Sequence, residues 1–408
     1  MKKLIALLLA LCMVACLFAG CTEAEDPTDA PETDAPVTDA PETDAPETDA
    51  PETDAPETDV PAVDYSAWRV AMVTDYGDIT DQSFNQTTYE AGKAWCEARG
   101  VDFTYYKPTG DSTAERVASV EQAIEEGYNV LLLPGYAFGE TIKETADMYP
   151  EVTYIALDVG EGDLGGYTLP SNVFSAVYQE ELAGYMAGYA AVKLGYTKLG
   201  FLGGMAVPAV IRYGFGFVQG CNDAAVELGI AGDVVVDYVY GNQFFGDADI
   251  TAYMDTIYAG GCQVVFACGG GIFTSACEAA LKVEGAKVIG VDVDQNGVIT
   301  GIYGDETLTV TSAMKGLAPT VETLLTELID NGNWAAYAGQ IVTLGLVSEV
   351  PAENYVQIAP STQFADTFTE ADYNALVAKL FNGEITVSND TTAMPATEIT
   401  VNDLGNIK

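Results

Sequence analysis

The sequence predicts an α/β protein of two Rossmann-like lobes with a ligand cleft between them. From residue 68 onward, short apolar runs alternate with helical patterns at the rhythm of βαβ units. The rhythm restarts near residue 199, which indicates a second lobe similar to the first. Polar residues follow several of the apolar runs, and ligands of such folds bind outside the carboxyl ends of the strands.

The composition excludes several classes of function. The 408 residues include 61 acidic and 16 basic residues and no histidine, for a net charge of −45. This charge disfavours nucleic acid and anionic lipid surfaces as partners, since both carry phosphate. The lack of histidine excludes a His-dependent catalytic triad and a histidine zinc site. No other metal or cofactor motif is present, and we expect neither a metal nor a cofactor.

The first 21 residues have the pattern of an export signal. Two lysines precede an apolar run, residues 4–18, that is too short to span a membrane comfortably. The pattern is typical of a bacterial lipoprotein signal in which Cys21 becomes the lipidated first residue, with Cys16 as the alternative position. An ordinary secretory signal is the other interpretation. Both predict export, and the first predicts a lipid anchor on the extracytoplasmic face of the cell membrane.

Residues 22–64 repeat Asp-Ala-Pro-Glu-Thr and contain no basic residue. Such a segment cannot bury a core and its like charges repel, so we expect a disordered, extended tether. The five cysteines beyond it show no Cys-x-x-Cys spacing, which argues against a disulfide framework or zinc ribbon. We expect most of them to be small buried apolar residues.

The first lobe is predicted to comprise residues 65–195 and part of 305–408. Its strands are predicted at 70–73, 101–106, 129–133 and 152–157. Its helices are predicted from 83 to about 99 and at 112–126, 139–148 and 179–194.

The second lobe is predicted to comprise residues 196–304. Its strands are predicted at 199–202, 234–239, 264–267 and 288–291, and its helices at 210–228, 250–259 and 274–283. Beyond it we expect a strand at 308–313 and helices at 317–329 and 370–380, whereas the Thr/Asn-rich end has no assignment.

Polar residues and glycines at strand ends are the candidate site. Asp75, Asp158 and Asp292 follow predicted strands, and so does the run 268–271, Cys-Gly-Gly-Gly. Each has a purely structural alternative as a helix cap or turn. Their occurrence at corresponding ends of two lobes favours a ligand site. The glycine run lacks the spacing of a dinucleotide or phosphate loop, no nucleophile elbow is present, and paired carboxylates for glycoside chemistry are not favoured.

Six motifs occur in the order and spacing of one known family. They are residues 75–85 (Asp-Tyr-Gly-Asp-Ile-Thr-Asp-Gln-Ser-Phe-Asn), 154–158, 200–205, 266–270, 290–295 and 311–315. Together they resemble the basic membrane protein family of ABC-transporter substrate-binding lipoproteins, with its PnrA-like purine-nucleoside receptors. The resemblance covers roughly residues 68–345. It implies a periplasmic-binding-protein type I fold and a nucleoside bound between the lobes.

The resemblance also implies roles for particular residues. Phe84 would stack on the base, with Asn85 as its polar neighbour. Carboxylates of the first lobe and groups that hold the sugar would complete the site, together with glycines that let backbone approach the ligand: Asp75, Asp158, Asp292, Lys315, Gly269 and Gly270.

A second stacking ring is expected from the other lobe. Phe245 fits the family's pattern, but the segment 240–247 is rearranged, so Phe244 and Tyr240 remain alternatives. The structural alternatives are a core aromatic for Phe84 and a solvated helix-start residue for Lys315.

We therefore expect a lipid-anchored, monomeric binding protein that delivers a nucleoside to ABC permease and ATPase subunits. One alternative keeps the fold but binds a sugar or another small polar metabolite. Another is a surface sensor or adhesin without a permease. An enzyme such as a nucleoside hydrolase is disfavoured because histidine and a metal cluster are missing.

Overall fold

The computed structural model describes residues 63–75 and 77–408, so the predicted signal, Cys21 and nearly all of the tether lie outside the described residues. The strands are, in chain order, β1 Arg69–Val73, β2 Asp102–Tyr106, β3 Val130–Pro134, β4 Thr153–Leu157, β5 Val173–Tyr178, β6 Lys198–Gly203, β7 Val235–Tyr240, β8 Val264–Cys268, β9 Lys287–Asp292, β10 Thr309–Lys315, β11 Gln340–Leu344, β12 Val356–Ile358 and β13 Thr400–Asn406. The α-helices are α1 Phe84–Glu97, α2 Thr113–Glu125, α3 Phe138–Thr145, α4 Glu180–Lys193, α5 Pro208–Leu228, α6 Ala248–Ala259, α7 Phe273–Ala280, α8 Asn296–Tyr303, α9 Leu317–Leu325 and α10 Glu370–Phe381.

The strands form two sheets. One has six strands in the order β11-β5-β4-β3-β1-β2, and the other has seven in the order β12-β10-β9-β8-β6-β7-β13. Every strand pair is parallel except β10 with β12, which is antiparallel. The predicted α/β class with two lobes is confirmed.

The two sheets share one internal plan. The order β5-β4-β3-β1-β2 in the first sheet matches β10-β9-β8-β6-β7 in the second. Each of these five strands of the first lobe therefore has an equivalent in the second, and the carboxyl ends of both sets line the space between the lobes.

The chain passes between the lobes three times. The crossings lie between β5 and α4, between β10 and α9, and between β11 and β12. They contact one another, since Gln179 N donates to Leu344 O at 2.9 Å and Gly316 N donates to Tyr355 O at 2.7 Å. Three adjacent crossings are the connections about which the lobes can move.

Packing assigns some elements to a lobe other than the one expected. Helix α4 packs against α5, β10 and β12, so it lies with the second sheet. Helix α9 packs against α1 of the first lobe, where Trp95 Nε1 donates to Thr326 Oγ1 at 2.9 Å. The region after residue 305 is thus shared: α9 and β11 lie with the first sheet, and β10, β12 and β13 lie with the second.

Helices α4 and α5 approach each other closely through glycines. A Cβ atom added to Gly184 would lie 2.1 Å from Tyr213 O, and one added to Gly216 would lie 2.0 Å from Glu181 O. Gly188 and Gly220 meet the opposite backbone in the same way. The pair therefore packs backbone to backbone, which holds the start of α4 and its two glutamates in place.

The described cysteines are Cys96, Cys221, Cys262, Cys268 and Cys277, and all five are free and buried. Within residues 63–75 and 77–408, no helix is both long and apolar enough to cross a bilayer. The same residues contain no cluster of three or more Cys, Asp or Glu side chains that could hold a metal ion.

Candidate functional site

A cleft between the two lobes brings most of the predicted site residues together. Its empty volume, including the part that opens to solvent, is about 750 Å³. Of the predicted residues, the structure places the following in its lining: Asp75, Phe84, Asn85, Asp158, Gly269, Gly270, Asp292 and Lys315.

The ammonium group of Lys315, at the end of β10, lies at the base of the cleft. Its Nζ atom is 2.5 Å from Asp158 Oδ2, 3.4 Å from Glu180 Oε1 and 3.7 Å from Asp292 Oδ1. The side chain is 3% exposed. Burial would lower the pKa of Lys315, but the three carboxylates outweigh it and raise the pKa, so the residue stays protonated.

Glu180 joins this lysine to a second cation. Arg212 Nε, on α5, donates to Glu180 Oε2 at 2.6 Å, and the Glu180 side chain is fully buried. Burial alone would raise the pKa of Glu180, but the charges of Arg212 and Lys315 hold it below its ordinary value. Glu180 is thus a fixed anion that orients Lys315 toward the cleft.

Asp158 and Asp292 occupy equivalent strand ends in the two lobes. Both have a φ of 63°, a left-handed conformation that is uncommon for residues other than glycine. Asp292 accepts hydrogen bonds from Ser83 Oγ at 2.7 Å and from Tyr213 OH at 3.3 Å. Asp158 Oδ1 is buried and has no hydrogen-bond partner among the described residues. Burial raises the pKa of Asp158 to about 7, while the positive charge of Lys315 opposes this rise.

The loop before α1 fixes the first turn of that helix. Asp81 accepts hydrogen bonds from the backbone N–H groups of Ser83, Asn85 and Gln86 at 2.9–3.1 Å, as a capping carboxylate does. This arrangement sets the positions of Phe84 and Asn85, which open the helix. The motif was predicted as a loop feeding a helix, and it has that form.

Asn85 is held by two carboxylates. Its Nδ2 donates to Asp75 Oδ1 and to Asp81 Oδ2, both at 3.1 Å. Its Oδ1 atom is buried and has no hydrogen-bond partner among the described residues. Gly135 makes room for Asp75, because a Cβ atom there would lie 2.2 Å from Asp75 Oδ2. Asn85 therefore presents a fixed, unmatched acceptor.

The Phe84 ring is half-buried and packs against Lys315. The Lys315 Nζ atom lies 4.6 Å from the ring centroid, a cation–π geometry. One face of the ring is therefore already occupied, and only the other face can receive a flat ligand.

Within the segment 240–247, Phe244 rather than the expected Phe245 lines the cleft, and which of the two rings stacks on a ligand stays a prediction. Phe245 is 62% exposed and lies outside the cleft lining, whereas Phe244 lies within it. The two are adjacent, so their side chains diverge. The glycines beside Phe244 accommodate its ring, since a Cβ atom at Gly204 would lie 2.5 Å from Phe244 Cδ1 and one at Gly269 would lie 3.0 Å away.

The residues that sequence reasoning missed are mostly on helices. Glu180, Arg212 and Tyr213 support the site from α4 and α5, and Tyr136 adds a further ring to the lining. One signal was present for Glu180, because two adjacent glutamates begin an otherwise apolar helix. Nothing in the sequence pattern distinguishes Tyr213 or Tyr136 from core tyrosines.

The cleft combines aromatic surface with an excess of acceptors. Its lining carries the carboxylates of Asp75, Asp81, Asp158 and Asp292 and one cation, Lys315. Carboxylates accept hydrogen bonds from hydroxyl and N–H groups and repel phosphate. The arrangement fits a flat, neutral molecule with several hydrogen-bond donors.

The chain is similar to known proteins in sequence and in structure. The model of the family described as "ABC transporter substrate-binding protein PnrA-like" matches residues 68–390. The "ABC transporter nucleoside-binding protein BmpA" of Lactococcus lactis is 28% identical over 239 residues, which cover 56% of this chain and 64% of that protein, less than two thirds of its length. The "CD4+ T-cell-stimulating antigen" of Listeria monocytogenes is 30% identical over 271 residues, or 63% of this chain and 72% of that protein.

A solved structure of an ABC transporter system solute-binding protein from Aeropyrum pernix superposes with a TM-score of 0.60 and 22% identity. The match covers 79% of this chain and 88% of the other. The likeness agrees with the predicted fold of periplasmic-binding-protein type.

Proposed function

Because the chain belongs to the PnrA-like family of ABC transporter substrate-binding proteins, we propose that it captures a nucleoside, with purine nucleosides preferred, between its two lobes. The protein delivers this ligand to the permease and ATPase subunits of an ABC importer. The name of the Lactococcus lactis relative, a nucleoside-binding protein, supports this choice of ligand.

The observation that carries the proposal is the pair of unmatched acceptors in an aromatic cleft. Asp158 Oδ1 and Asn85 Oδ1 are buried without partners among the described residues, and a buried unsatisfied polar atom costs about 1–3 kcal/mol. A nucleoside supplies donors at its hydroxyl groups and base edge that satisfy such atoms. Its base offers a π-face to Phe84 and Phe244.

The charges of the site favour a nucleoside over a nucleotide. Asp292 and Lys315 face the sugar hydroxyls in the proposed complex, and Asp75 and Asn85 face the base. Lys315 is already within 4 Å of three carboxylates. It therefore has little charge left to neutralise a phosphate.

The proposed location is the extracytoplasmic face of the cell membrane. Cys21 carries the lipid anchor, residues 22–64 form the spacer, and the folded part works as a monomer. Replacing Cys21 with Ala should move the protein from the membrane fraction to the soluble fraction. If the protein remains in the membrane fraction, the anchor lies elsewhere.

A second candidate ligand is a sugar or another small polar metabolite. The four lining carboxylates favour this candidate, because they also bind vicinal hydroxyls. Lys315 favours it as well, because it covers one face of Phe84 and leaves only the other face for stacking of a base. Both candidates share the family and the fold.

Titration calorimetry on the chain from residue 22 onward separates the two. The protein is first unfolded and refolded so that no ligand remains from expression. Nucleosides, free bases, nucleoside monophosphates and simple sugars are then titrated. We expect binding of inosine, guanosine or adenosine and much weaker binding of the monophosphates. Binding of a sugar with no response to any nucleoside would replace the proposed ligand with the second candidate.

A further inference from the structure

Gln295 is a buried side chain beside the cleft that no role described so far explains. It is 0% exposed and lies just before α8, three residues after Asp292. Its side chain folds back onto β9, where Oε1 accepts a hydrogen bond from Val291 N at 3.0 Å. Gly290 makes this possible, because a Cβ atom there would lie 2.8 Å from Gln295 Oε1.

The other end of the same amide reaches the first lobe. Gln295 Nε2 donates to the backbone carbonyl of Gln82 at 3.1 Å. The orientation of the amide is determined by its partners, since Val291 N–H can only donate and the Gln82 carbonyl can only accept. One side chain thus bridges the strand that ends in Asp292 and the loop that begins α1.

The contact lies next to a second link between the lobes. Gln82 has a φ of 58°, in the left-handed region, and the next residue, Ser83, donates from Oγ to Asp292 Oδ2 at 2.7 Å. Two consecutive residues of the first lobe therefore contact Gln295 and Asp292 of the second. Asp292 also has a left-handed φ, which requires support from its surroundings.

We propose that Gln295 is a positioning residue that couples closure of the lobes to the geometry of Asp292. When the lobes are together, the Gln82 carbonyl holds the amide in the orientation that supports Val291 and hence the left-handed turn at Asp292. When the lobes separate, this carbonyl is withdrawn and the amide loses one of its two partners. Asp292 is then presented to the ligand in its bound geometry chiefly in the closed form. The proposal rests on the proposed function in taking Asp292 as a ligand residue.

A purely structural glutamine of the second lobe would not need the second contact. Within that lobe, Val291 N and Ser312 Oγ, which accepts from Gln295 N at 3.1 Å, already satisfy the local geometry. The bond to Gln82 adds nothing to the second lobe alone, and it exists only while the lobes are together.

The test uses Gln295→Glu, which keeps the acceptor for Val291 and removes the donor for Gln82. Spin labels are attached at Met148→Cys in the first lobe and Leu281→Cys in the second, which are 60% and 47% exposed. In the chain from residue 22 onward, the native cysteines are the five buried ones, so labelling is confined to the two new sites. The distance distribution between the labels then reports the open and closed populations with and without ligand.

We expect Gln295→Glu to raise the ratio of open to closed molecules about fivefold, the effect of one lost hydrogen bond. Ligand should also dissociate faster by a similar factor. Gln295→Asn has the same chemical groups but is one methylene too short to span both partners. It introduces no buried charge, and it should still raise the ratio of open to closed molecules.

The matched control is Gln363→Glu. Gln363 Nε2 also donates to backbone carbonyls, those of Thr307 at 3.0 Å and Thr309 at 2.7 Å, but both lie in its own lobe. This variant should leave the distance distribution unchanged even if it lowers the melting temperature. An unchanged distribution in both Gln295 variants, or an equal shift in the control, would overturn the proposal. If the wild type binds no nucleoside, the proposed function fails, while the ligand-free distribution still tests Gln295.

Discussion

Asp158 and Asp292 are equivalent residues of the two lobes, and both approach the same ammonium group. Each follows or ends a strand at the same place in its sheet, and each has a φ of 63°. Their carboxylates lie 2.5 Å and 3.7 Å from Lys315 Nζ. Because Asp158 belongs to the first lobe and Lys315 to the second, this cluster is both the floor of the cleft and an electrostatic link between the lobes.

Removing the cation from this cluster should strongly destabilise the protein. Lys315→Met leaves Asp158, Glu180 and Asp292 buried without it, and we expect the free energy of unfolding to fall by about 3–5 kcal/mol. Urea denaturation measures the change. The control is Lys282→Met, which breaks a 2.8 Å pair with Asp255 at the surface and should cost about 1 kcal/mol or less. Equal losses of unfolding free energy in the two variants would contradict the role of Lys315 as the buried counter-charge of the three carboxylates.

The aromatic ring of the second lobe can be assigned by comparing two neighbours. Phe244→Ala should weaken nucleoside binding by about tenfold or more, since stacking of a base on an aromatic ring is worth about 1–3 kcal/mol. Phe245→Ala should leave the dissociation constant unchanged, because that ring is 62% exposed outside the cleft. Calorimetric titration of both variants with the same nucleoside decides the matter. The reverse pattern would restore Phe245 as the stacking residue.

Because the carboxyl group of Glu181 is buried, we expect the free energy of unfolding to fall as pH rises. Burial, aided by the negative charge of Glu180, raises the pKa of Glu181 from 4.5 to about 7. Between these two pH values the folded state holds a proton that the unfolded state has released. The contribution of Glu181 to the free energy of unfolding is therefore fully present below pH 4.5 and is lost by about pH 7. It amounts to about 3 kcal/mol.

Glu181→Gln should remove this part of the pH dependence, while the part from Asp158, whose pKa burial also raises to about 7, remains. The variant should be more stable than the wild type at pH 8 and similar to it at pH 4.5. Urea denaturation at both values checks this. Glu384→Gln changes the net charge equally at an exposed position and should leave the slope with pH as in the wild type. A wild-type slope in Glu181→Gln would show that another group is responsible.

The close contact of α4 and α5 should tolerate no side chain at its glycines. Gly216→Ala places a Cβ atom 2.0 Å from Glu181 O and should destabilise by about 1–3 kcal/mol or more. Gly301→Ala, within α8, meets nothing within 4 Å and should instead stabilise by about 0.5–1 kcal/mol. Melting temperatures of the two variants should therefore move in opposite directions. A harmless Gly216→Ala would mean that the helices can separate without cost.

The strand ends that line the cleft were predictable because buried parallel strands appear in the sequence as short apolar runs followed by polar residues or glycine. The apolar runs of β1, β4, β8 and β9 are followed within two residues by Asp or Gly, and the topology brings those ends together whatever the details of packing. The placement of Asp158 and Asp292 follows from this rule. Their left-handed backbone does not, since it depends on contacts from residues far away in the chain.

Other features could not be predicted because local pattern does not encode them. Phe244 and Phe245 are identical side chains in one loop, and the room for the Phe244 ring is left by Gly204 and Gly269, which are distant in the sequence. Strand β5 was missed because it enters α4 without an intervening turn. Strand β12 is only three residues long. Strand β13 is largely exposed and polar, so it has no apolar alternation to detect.

The three crossings between the lobes make the molecule resistant to disconnection by a single cut. A protease that cleaves any one of them leaves the other two crossings intact. After a cut in the first crossing, the fragment that ends with β5 is still held by the pairing of β5 with β11 and by the hydrogen bonds between neighbouring crossings. The nicked protein would migrate as two fragments in detergent but as one particle under native conditions. In the proposed location outside the cell, damage at one backbone bond there would not by itself release half of the proposed ligand site.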